Sequence, residues 1–149
     1  MRKVVLIACV SQKENRKMKA KDLYKSQLFK SSMAYAHKLR PDKIFILSAL
    51  YHLLDLETEI EPYDVTLSNL PKKNRKTGLK ILNAGEKKEW GKIVMEQLSV
   101  QTDLKNDSFI VLAGKEYIKP ISNYISHLVD PLKGLRQGER VKFLKNNSL

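Results

Sequence analysis

Three short apolar runs in this chain each end in side chains able to do chemistry. KVVLIAC (3–9) hands over to Ser11 and Lys13. KIFILS (43–48) ends in Ser48 and leads to Tyr51 and His52, and SFIVLA (108–113) leads to Gly114, Lys115 and Tyr117. Hydroxyl and ammonium donors placed after an apolar strand can hold a phosphate, and a glycine there lets backbone N–H groups face an anion. Cys9 at a strand end fits a small buried hydrophobe better than a nucleophile. Ser11 could equally satisfy backbone groups in a turn, and Lys13 could be plain surface charge.

Acid–base chemistry has fewer candidates. Asp64, between Tyr63 and Val65, is the best-placed carboxylate. Asp22 is its rival, although its position suits a helix cap better. His52 has the side chain most readily tuned near neutrality, but its setting, LYHLL, also suits a structural histidine. No metal or cofactor is expected. His37, His52 and His127 lack ligand spacing, and the chain has no phosphate-binding GxxxxGK[ST] loop, GxGxxG fingerprint or GxSxG elbow.

These residues need elements to position them. The three apolar runs carry no alternation, as expected of central strands covered on both faces. A helix over Asp22–Leu39, stopped by Pro41, would join the first two strands in a right-handed βαβ unit. Residues 51–80, punctuated by Pro62, Pro71 and Gly78, read as loop-rich. A second helix is expected over 85–98, with Trp90, Ile93, Val94 and Leu98 inward. A third should start near Glu116, keeping Pro120 in its first turn and turning Ile118, Ile121, Ile125 and Leu128 inward. A last helix is expected over 136–145. The fold class predicted is α/β: a single three-layer domain over 1–149, with a small, mainly parallel sheet flanked by helices. Such sheets bind ligands beyond the carboxyl ends of their strands, where Tyr63 and Asp64 could fold over the edge.

Bulk composition narrows the partners. The 149 residues hold 28 Lys and Arg against 16 Asp and Glu, a net charge of +12 that points to a polyanion. The charges are segregated. Residues 13–30 hold seven bases and two acids, 55–64 hold five acids and no base, and 72–80 hold five bases and no acid. No apolar run approaches the roughly 20 residues of a membrane span, and the N-terminal run reads as a strand rather than a signal peptide. One cysteine excludes an internal disulfide and fits a cytoplasmic location.

The set CVSQK (9–13), AKDLYKSQLF (20–29), ILSALYHLL (46–54), YDVTL (63–67), EW (89–90), LAGKEY (112–117) and PLKGLRQG (131–138) resembles domain-of-unknown-function family 6884, small proteins of bacteria, archaea and phages. The match runs in order along nearly the whole chain. It departs at His52, where the family pattern often carries glycine. The resemblance implies a compact α/β domain similar to uracil-DNA glycosylases, with a base or nucleotide pocket at the strand ends. It points to Cys9, Ser11, Lys13, Asp22, Tyr24, Ser26, Ser48, Tyr63, Asp64, Gly114 and Tyr117.

Two functional readings follow. In the first, the protein is an N-glycosidase acting on a nucleotide or nucleic acid. Asp64 stabilises the sugar cation or aligns water, and His52 donates to the leaving base. Tyr24 or Tyr63 stacks on that base, while Ser11, Lys13 and Lys115 hold phosphate. In the second, it is a non-catalytic nucleic-acid-binding module that neutralises phosphates with Lys17, Lys19, Lys72, Lys73, Arg75 and Lys76. A hydrolase of small nucleotides is a third, weaker reading.

Overall fold

In the computed structural model, which describes residues 1–8 and 13–148 and of Asn74 only the backbone, the first apolar run is β1 (Lys3–Ala8). Then come β2 (Met18–Lys19), α1 (Ala20–Leu23), α2 (Gln27–Lys38), β3 (Lys43–Ser48), β4 (His52–Asp55), β5 (Glu59–Ile60) and β6 (Val65–Thr66). A single 3-10 turn, Lys72–Asn74, precedes β7 (Lys80–Ile81), α3 (Ala84–Gln101), β8 (Ser108–Leu112), α4 (Lys115–Ser122), β9 (Leu128–Val129) and α5 (Gln137–Asn146).

The main sheet has the order β4-β3-β1-β8-β9, parallel except for β4, which forms a hairpin with β3. The register sets Leu6 beside Phe45 on one side and Val111 on the other. Val4 to Ala8 are all buried, as are Phe45 to Ser48 and Phe109 to Leu112, so both faces of the central strands are covered. α2 packs with α5, where Tyr35 and Phe143 meet at 5.9 Å, and α3 packs with α4. One crossover runs from β1 through α2 to β3 and the next returns through α3 to β8 on the other side of β1, so right-handed connections put these two pairs on opposite faces. The α/β class and the small, mainly parallel sheet are as expected from sequence.

Several details differ from the expectation. The helix expected from Asp22 is two helices, because Tyr24 is extended and bridges to Lys13 while Ser26 starts α2 anew. The Ser26 hydroxyl accepts from the Phe29 N–H at 3.2 Å and is thus the cap. Asp22 lies within the first turn of α1 and caps nothing. α3 starts at a capping box, where Asn83 and Glu86 exchange hydrogen bonds of 2.8 and 3.0 Å. Its inward face is Trp90, Val94, Met95 and Leu98, with Ile93 only half-buried.

Pro120 sits beyond the first turn of α4, and the helix ends two residues later at Ser122. A proline removes one backbone bond and crowds the preceding turn, a cost a short helix near its end can bear. Ile125 therefore lies outside the helix, and Leu128 belongs to β9, paired with Phe109. Gly91 of α3 meets Pro120 closely: a Cβ there would stand 2.4 Å from the Pro120 carbonyl oxygen.

Candidate functional site at the carboxyl end of the sheet

Connections leave β1 for β3 on one side and cross over to β8 on the other, so the crevice where ligands bind in such sheets lies at the carboxyl ends of these strands. The segment 61–67 crosses this end as a strap. On the β3 side, the Tyr63 hydroxyl lies 2.6 Å from that of Tyr24, and the Tyr63 ring meets the edge of Tyr51 with centroids 5.6 Å apart. The Tyr51 hydroxyl in turn accepts from the Glu61 N–H at 3.3 Å. Lys13 Nζ sits 4.4 Å from the Tyr63 ring centroid and 5.8 Å from that of Tyr24, a cation held against two π-faces. On the β8 side, the Tyr117 hydroxyl meets the Thr66 hydroxyl at 3.3 Å, and the Tyr117 ring packs against Trp90. The Trp90 indole donates to the Ser48 carbonyl at 2.8 Å, and the buried Ser48 hydroxyl accepts from Tyr51 N–H at 2.9 Å.

The structure thus brings Lys13, Tyr24, Ser48, Tyr63 and Tyr117 to one end, as the sequence suggested, and packs the Tyr24 and Tyr63 rings against each other and against Lys13. Tyr24 is 2% and Tyr63 8% exposed, so neither ring has an open face on which a base could stack in this conformation. Ser26 is buried as the α2 cap. Cys9 and Ser11 lie outside the described residues.

Asp64 turns away from this cluster. Its side chain is 46% exposed and its carboxylate lies 2.9 Å from Lys76 Nζ. His52 opens β4 opposite Ser48 with φ +66°, a left-handed conformation that glycine adopts without strain. Burial holds its imidazole below the ordinary histidine pKa, so it is neutral at pH 7. A cavity of about 300 Å³ lies beside it, lined also by Val65, Trp90 and the 2.7 Å Lys80–Glu86 pair. Asp64 does not line that cavity, so the two residues expected to share the chemistry do not meet there.

Two residues at this end escaped the sequence reading. Gly114 occupies the N-cap of α4 with no side-chain cap, and Arg140 reaches it from α5: its Nη1 would be 3.6 Å from a Cβ at Gly114. Arg140 Nε donates to the Leu135 carbonyl at 3.0 Å, which aims the rest of the guanidinium. Lys115 beside it is exposed. Asp130, just after β9, keeps one buried carboxylate oxygen without a hydrogen-bond partner among the described residues. Burial pushes its pKa up, against the pull of the Leu132 N–H and of Lys133 and Arg140. Both residues flank the motif PLKGLRQG, yet neither could be placed before β9 was known to be a strand.

The charge runs also change meaning in space. Lys19 and Lys21 both contact Glu57 at 2.8 Å, and these hydrogen bonds, Lys19 first, pull its pKa down to about 2. Lys76 pairs with Asp64, and Arg75 Nε donates to the Leu70 carbonyl. Lys17, Lys72 and Lys73 stay exposed with no ion-pair partner among the described residues. Part of the segregation along the chain is therefore cancelled by folding.

A family model matches residues 4–146, nearly the full length: the family of unknown function DUF6884. The chain belongs to that family. No curated protein and no solved structure matches it. In this DUF6884 member, His52 holds a positive φ, so a glycine at that position would be free of backbone strain. Among the described residues, no three His, Cys, Asp or Glu side chains gather as a metal set, and no helix is long and apolar enough to cross a membrane.

Proposed function

We propose that this domain binds the phosphates of nucleic acid or a nucleotide at the carboxyl end of its sheet. The observation that carries the reading is Arg140 against Gly114 at the uncapped N-terminus of α4. A helix N-terminus and a guanidinium at one point favour an anion. The net charge of +12 and the exposed Lys17, Lys72 and Lys73 extend that preference to a polymer. Fluorescence anisotropy with labelled single-stranded DNA, duplex DNA and RNA tests it. Arg140→Gln should weaken binding about tenfold, and the Lys72→Gln/Lys73→Gln pair should lower the salt slope by about 1.5. No binding at low salt, or binding untouched by all three substitutions, would remove the reading.

N-glycosidic cleavage is the second reading, favoured by the cavity beside His52, whose neutral imidazole can donate to a departing base. Mass spectrometry for released bases decides it. Release by wild type, lost in His52→Ala, would establish turnover in that cavity. Binding without release would leave the domain a binding module.

A further inference from the structure

A larger cavity, of about 690 Å³, lies between α3 and α4 and belongs to neither the strap nor the strand ends. Its size is that of pockets for small organic ligands. Lys87 and Glu116 line it and meet each other at 2.8 Å, with side chains only 13% and 15% exposed. This bond holds the Glu116 carboxyl below its ordinary range, and the pair contributes no net charge to the cavity. Lys88 and Lys119 also line it, are exposed, and have no ion-pair partner among the described residues. Two positive charges therefore remain there uncompensated.

The rest of the wall is suited to something other than a bare anion. Tyr124 lines the cavity with 48% of its surface exposed, and its ring packs against no other aromatic among the described residues. Asn123, beside it in sequence, has a carboxamide with no hydrogen-bond partner among the described residues, so its donor and its acceptor are both free. An open ring takes the face of a base, a free carboxamide takes a base edge, and two lysines take a phosphate. A cavity offering all three is chemically complementary to one unit of base, sugar and phosphate.

We propose that the α3–α4 cavity is a mononucleotide site. This does not rest on phosphate binding at the strand ends, because no residue is shared between the two. Isothermal titration with adenosine, cytidine, guanosine and uridine 5′-monophosphates, with the parent nucleosides and with inorganic phosphate, tests it. At least one monophosphate should bind at least tenfold more tightly than its nucleoside or phosphate alone. Tyr124→Leu and the Lys88→Gln/Lys119→Gln pair should each weaken that binding about tenfold, with the melting temperature unchanged. Anisotropy with polymeric DNA on the same variants separates the two sites: Tyr124→Leu should bind the polymer as wild type does. No monophosphate binding at millimolar concentration, inorganic phosphate binding equally well, or affinity unmoved by Tyr124→Leu would overturn the assignment. Polymer binding lost with Tyr124→Leu would also overturn it, since the cavity would then be part of the polymer path.

Discussion

The two ends of the central sheet are built from the same strands and finished in opposite ways. At the amino end, carboxylates satisfy backbone donors. Asp107 accepts from the N–H groups of Arg2 and Asp103, both at 2.8 Å, and Asp42 accepts from the Lys3 N–H at 2.7 Å. Backbone bonds from Asp42 to the Lys3 carbonyl and from Ser108 to the Arg2 carbonyl complete the closure. At the carboxyl end, side chains do the closing: tyrosine hydroxyls, Lys13 and the strap over 61–67. There the α4 N-terminus keeps a guanidinium beside it, and Asp130 keeps an oxygen with no partner among the described residues. Buried polar groups are normally paired, so groups left over at one end only mark where folding has not consumed the chemistry.

Three measurements would break or sharpen this contrast. The largest effect belongs to the amino end. Asp107→Ala leaves two backbone N–H groups without acceptors, and the melting temperature should fall on the order of 5–10 °C while the binding proposed for the carboxyl end is unchanged in the folded protein. Loss of binding in that variant would mean that the two ends are not separable. At the carboxyl end the sign should reverse. His52→Gly relieves a left-handed backbone and should raise stability by about 0.5 kcal/mol in urea denaturation, the strain relieved exceeding the entropy glycine adds to the unfolded chain. A loss instead would show that the partial burial of the imidazole outweighs the strain.

The smallest effect lies at neither end. Glu57 is lowered from 4.5 to about 2 by Lys19 and Lys21, so the stability from that cluster is present above pH 4.5 and lost as pH falls towards 2. Because the side chains are exposed, salt should erase most of this slope. Comparing acid unfolding of wild type and Glu57→Gln at low and high salt checks it, and equal slopes at low salt would remove the cluster from the account.

How legible all this was depended on range. β1, β3 and β8 could be read directly, because strands covered on both faces must be apolar throughout. α3 was legible from its apolar period, which a single helix carries within itself. β4 and β9 were not, since a half-exposed edge strand and a two-residue strand owe their existence to the partner beside them. The break at Tyr24 likewise needs Lys13 as a partner, and the end of α4 needs the chain that turns into β9.

The same division governs the site. The residue types alone determined that donors follow each central strand and that the chain carries excess positive charge. Only the tertiary structure decided which of those donors are spent. It seals Tyr24 against Tyr63, ties Asp64 to Lys76 and Lys19 to Glu57, and leaves Arg140 at Gly114 and Tyr124 open beside Lys88 and Lys119. Apolar burial is recorded locally in the pattern of a strand or helix. Polar pairing joins residues distant in the chain, and it is settled only when the folded backbone brings donor and acceptor within reach.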